Sequence, residues 1–114
     1  MLATVAALAG AAAAVTATQA QDYPARSITM IVPFAAGGPT DVVARIVTGH
    51  MAQTFGHSII IENVVGAGGT TATTRAARAA NDGYTLITGH MGTHAAAVPL
   101  YPKLAYHPEK DFEP

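Results

Sequence analysis

Apolar residues gather along the chain in three short runs, each followed by glycines and two of them then by a segment with helical features. Ile28 to Phe34 (ITMIVPF) is continuous, rich in β-branched residues and closed by Ala35-Ala36-Gly37-Gly38, the pattern of a strand covered on both faces of a parallel sheet. Val42, Val43, Ile46, Val47, Met51 and Phe55 then recur at helical spacing, which predicts a helix. Pro39 suits its first position, Asp41 its first turn and Gly56 its C-terminal stop. Ser58 to Ile61 predicts a second strand, Gly66-Ala67-Gly68-Gly69 a break, and Thr70 to Ala80 a helix whose small residues allow close packing on a sheet. Asn81-Asp82-Gly83 signals a turn before a third strand, Tyr84 to Thr88, and a third loop, Gly89 to Thr93. From Pro99 onward, with Pro102 and Pro108, the chain is expected to be irregular.

This alternation predicts an α/β fold: a parallel sheet with right-handed crossovers. All three glycine loops then leave the C-terminal ends of strands, the edge where open α/β sheets bind ligands. A glycine loop running into a helix lets backbone N–H groups face an anion, because no Cβ blocks the approach and the first-turn amides lack helical partners. Three such loops on one edge would form a carboxylate cradle. Each loop taken alone is also an ordinary tight turn.

Met1 to Ala20 is uncharged and built of Ala, Val, Leu, Thr and Gly, with Thr18 and Ala20 at the small-residue positions of a cleavage site. The segment reads as the apolar part of a signal peptide removed after Ala20, without the charged start such peptides usually have. The abrupt change to Gln21-Asp22-Tyr23-Pro24 weighs against a membrane-spanning helix. The remainder, residues 21–114, is shorter than a common domain of about 100 to 150 residues, so the chain is expected to be truncated.

Half of the residues are hydrophobic, 11% are charged and the formal charge is -1. That balance excludes a disordered chain and a basic nucleic-acid binder. No cysteine is present, which removes disulfides, thiolate nucleophiles and Cys-based zinc sites.

The remaining candidate chemistry is sparse. Gly66-Ala67-Gly68-Gly69-Thr70-Thr71 opens like a dinucleotide fingerprint but has Thr71 where the third glycine or alanine belongs, and no loop ends in Gly-Lys-Ser/Thr. His90 and His94 have the spacing of a helical zinc site, yet Gly92 intervenes and no Glu follows His90. Histidines that hydrogen-bond backbone or ligand are the expectation, with no metal and no cofactor. Asp41 reads as a helix-capping carboxylate rather than a general base. Thr93 beside His94 could pair a nucleophile with a base, but adjacent side chains usually point apart and no third orienting group is evident. Arg75 and Arg78 read as a solvated helix face, with an anion clamp as the alternative. Tyr84 and Phe112 are expected in the core.

Taken together, Tyr23-Pro24, Ile31-Val32-Pro33-Phe34-Ala35-Ala36-Gly37-Gly38-Pro39-Thr40-Asp41, Glu62-Asn63, Gly66-Ala67-Gly68-Gly69, Asp82-Gly83-Tyr84-Thr85-Leu86, Gly92-Thr93-His94 and Asp111-Phe112 resemble the substrate-binding proteins of tripartite tricarboxylate transporters, the TctC or Bug family. The resemblance covers essentially all of the chain after the leader. It implies a two-domain periplasmic binding protein of type II fold, with residues 21–114 as the N-terminal part of its first α/β domain, a monomer at full length, that closes on a small carboxylate and delivers it to a membrane permease. It also implies which residues line the cleft: Phe34, Ala35, Ala36, Gly37, Gly38, Thr40 and Asp41 of the first loop, Ala67, Gly68 and Gly69 of the second, and Met91, Thr93 and His94 of the third. Recognition without turnover is the expected chemistry, and no catalytic residue is assigned. The alternatives are an α/β enzyme acting on a carboxylate and a fragment without function.

Overall fold

The computed structural model describes residues 22–114. The predicted leader, residues 1–20, lies outside the described residues. Three strands form one parallel sheet in the order β2-β1-β3, with β1 at Ile28–Val32, β2 at Ile59–Asn63 and β3 at Thr85–Ile87. Thr29 pairs with Ile60 on one side and Thr85 on the other. The expected α/β architecture is therefore present.

The first strand stops before Pro33, whose missing N–H cannot join a ladder, so Pro33 and Phe34 belong to the loop. Its Ile28, Met30, Ile31 and Val32 are buried, as a central strand requires. The second strand runs further than its apolar letters, because parallel pairing carries Glu62 and Asn63 alongside Ile31 and Val32.

Helix α1 spans Pro39–Phe55, with Pro39 in its first turn and Gly56 closing it in the left-handed conformation, where the Gly56 amide donates to the Ala52 carbonyl. It lies on the sheet through small side chains: Ala44 joins Met30 and Val32 in the core, bordered by Ile59, Ile61 and Leu86. Thr48 is also buried and turns its hydroxyl back to the Ala44 carbonyl at 2.8 Å. The valines that mark the helix in the sequence, Val42, Val43 and Val47, together with Ile46, stand on its outer side and are exposed.

Helix α2, Thr70–Ala77, packs against β1 and β3 through the buried Ala72 and Thr73. Its basic end is solvated, and Arg75 is paired with Glu62 of the edge strand. The third loop departs from expectation. A helical segment begins at Met91, is π-helical over Gly92–Ala96 and continues as α3, Ala97–Leu100. The His90 ring starts it: Nδ1 accepts the Gly92 amide at 2.7 Å, filling the place of a capping oxygen. Tyr84 is half-buried and carries the Arg26 guanidinium 3.8 Å above its ring, so it seals the sheet's lower end rather than filling the core. Phe112 is half-buried against His94 and Tyr106.

Candidate functional site

Because the chain steps from β1 to β2 and then back across β1 to β3, right-handed crossovers send α1 and α2 to opposite faces of the sheet. The loops leaving β1 and β3 diverge over the sheet's C-terminal edge, where such folds form a crevice. The loop after β2 closes in from the side.

All three meet at Gly69, which is buried at the end of a short 3-10 turn, Ala67–Gly69. A Cβ on Gly69 would lie 2.8 Å from Thr93 Cγ2 and 3.2 Å from both the Phe34 ring and Pro33 Cβ. Its φ of +91° adds a second reason for glycine. The Phe34 ring also stacks on His90, with centroids 4.8 Å apart, which ties the first loop to the third.

Behind the loops lies a polar frame. The Asp41 carboxylate is 1% exposed and accepts from Arg45 Nε and the Gly37 amide at 2.8 Å through Oδ2, and from Asn63 Nδ2 at 2.9 Å through Oδ1. Asn63 also donates to the Phe34 carbonyl at 2.9 Å. Bonding to Arg45, then to the Gly37 amide and Asn63, holds the Asp41 carboxyl well below the usual carboxylate range, against the opposing effect of burial. Asp41 is thus not a free base. It is not the cap residue itself, since Gly38 holds that position; it pins the loop that precedes its own helix.

Thr93 is fully buried. Its Oγ1 accepts the His90 amide at 3.2 Å and lies 2.8 Å from His94 Nδ1, and its carbonyl accepts the Tyr106 hydroxyl at 2.5 Å. Contrary to the expectation that these neighbours point apart, helical backbone brings Thr93 and His94 together. No hydrolytic triad results, because the hydroxyl is shut away from solvent and the far side of the His94 ring meets Phe112. Burial, with the nearby His90, lowers the His94 pKa and favours the neutral ring.

The residues assigned to the cleft therefore divide by exposure. Ala35, Ala36, Gly37, Ala67, Gly68 and Met91 are open to solvent; Phe34, Gly38, Thr40 and His94 are half-buried; Asp41, Gly69 and Thr93 are buried supports. Among the described residues, no internal hydrogen bond occupies the amides of Ala35, Ala36, Ala67 or Gly68. Asn63, Arg45 and Tyr106 hold the frame without having been singled out as cleft residues. Asn63 sits in a sequence motif, whereas the other two carry no local signal. A cavity of about 420 Å³ adjoins the third loop, lined by His94, Val98, Tyr101, Leu104 and Tyr106 among others. No cluster of three or more metal-ligating side chains exists among the described residues, and no helix there is long and apolar enough to cross a membrane.

A sheet edge of converging glycine loops is the ligand-binding edge of an α/β binding protein. The family model described as tripartite tricarboxylate transporter family receptor matches residues 43–114, more than half of the chain, and the protein belongs to that family. The chain is 64% identical to MatC of Rhodopseudomonas palustris, solved with bound malate; the match covers 81% of this chain and 31% of MatC, with a TM-score of 0.78. A second R. palustris protein, solved with adipate, is 38% identical over 77% of this chain and 29% of its own, with a TM-score of 0.74. BugT of Bordetella pertussis is 40% identical over 109 residues, covering 95% of this chain and 32% of BugT. The chain thus spans about a third of the length of these relatives. The family is one of receptors rather than enzymes, and a further neighbour, BugD, 49% identical over 81% of this chain and 30% of its own with a TM-score of 0.77, is a periplasmic binding protein.

Proposed function

We propose that the full-length gene product is a periplasmic receptor that captures a small organic acid with two or three carboxylates and hands it to a membrane permease. One observation carries the reading: three loops packed around Gly69, with unoccupied amides on the exposed turns of the first two, at the edge where this fold binds anions. The malate and adipate held by two relatives give the ligand class. Residues 1–20 act as the export signal, residues 21–114 form the first part of a two-domain receptor, and the mature protein works as a monomer without a cofactor. Phe34 to Asp41, Ala67 to Gly69 and Met91 to His94 supply one wall of the cleft, the buried members by holding the exposed ones in place.

Calorimetry of the full-length gene product with L-malate, adipate and citrate tests this. Saturable heat with at least one acid, and no product, is expected; silence with all three rejects the reading. The mass of the exported protein should place its N-terminus at Gln21.

A further inference from the structure

The Tyr101 side chain comes from the residue that follows α3, yet its hydroxyl reaches the second glycine loop: a Cβ on Gly68 would lie 2.7 Å from that oxygen. Its backbone is fixed, since the Tyr101 amide donates to the Ala97 carbonyl and its carbonyl accepts from Leu104. Its ring lines the 420 Å³ cavity beside His94. Among the described residues the hydroxyl makes no hydrogen bond, whereas Tyr106 nearby spends its hydroxyl on the Thr93 carbonyl. The unengaged phenol therefore stands beside Gly68, whose amide, like that of Ala67, carries no internal hydrogen bond.

We propose that Tyr101 is a ligand-contacting residue, whose hydroxyl donates to the carboxylate held at the Ala67-Gly68 turn. The proposal rests on the receptor reading above. A phenol there adds a neutral donor, so it strengthens carboxylate binding without the cost of burying a second charge. The hydroxyl lies over a glycine whose backbone is left-handed, with a φ of +62°.

The test uses Tyr101→Phe in the full-length gene product, with L-malate and adipate as probes. A hydrogen bond to a charged group is worth about 1.5–3 kcal/mol, so affinity for the tighter acid should fall roughly 10- to 100-fold while the melting temperature without ligand stays at the wild-type value. Wild-type affinity in Tyr101→Phe overturns the proposal and leaves the receptor reading standing. A lowered melting temperature with unchanged affinity also overturns it, by making the hydroxyl structural. A wild-type protein that binds neither acid nor citrate overturns both. Should Tyr101→Phe not fold, NMR of the wild-type protein labelled at the tyrosine ring Cζ decides: a Tyr101 resonance that shifts on addition of L-malate or adipate supports the role, and one that stays in place while the acid binds ends it.

Discussion

At the residue scale, Gly69 is the position on which the site depends most. Alanine there meets Thr93, Phe34 and Pro33 at once, and two of these have little room to retreat, since Thr93 and Pro33 are buried. Overpacking together with the left-handed backbone should cost about 2–4 kcal/mol, read as a lowered melting temperature in a Gly69→Ala protein. Ligand affinity should fall as well, because the loops would splay. The convergence was partly legible in the letters: three glycine-bearing loops after three strands implied a shared edge. That Gly69 is the contact point, with Gly68 against Tyr101, was not legible, because both depend on side chains distant in sequence: Pro33, Phe34 and Thr93 for Gly69 and Tyr101 for Gly68.

At the scale of elements, Asp41 joins the first loop, α1 and the end of β2 through one carboxylate. Its ionised form is favoured in the fold relative to the unfolded chain, where the value is 3.8. The stability it lends is therefore complete above that value and drains away as the pH falls below it. Asp41→Asn should lower the melting temperature by several degrees at neutral pH and flatten its decline between about pH 4 and pH 2. Melts across that range check both effects. Periodicity found α1 but not its inner face, because Ala44 and Thr48 allow the close approach while bulkier aliphatics are turned outward. The helical segment after β3 escaped notice for a different reason. Its cap is an imidazole, which the usual Ser, Thr, Asp and Asn signals do not include.

At the scale of the whole molecule, an apolar stripe on α1 is left uncovered among the described residues: Val42, Val43, Ile46 and Val47 are 47 to 59% exposed. Residues 21–114 expressed alone should therefore bind an apolar dye and melt broadly. Val43→Gln with Ile46→Gln should quench the dye signal while changing stability by less than about 0.5 kcal/mol per site. A sharp melt without dye binding would count against this. The strand order has a consequence of its own for how the chain comes into being. The central strand is made first, yet its neighbours are Ile59–Asn63 and Thr85–Ile87, so a growing polypeptide must emerge past Thr85 before Ile28–Val32 has both partners. Contacts between such distant segments form slowly. The nascent chain thus stays loose and threadable at least until Thr85–Ile87 has emerged, and the sheet's edge, with its three loops, closes only after that.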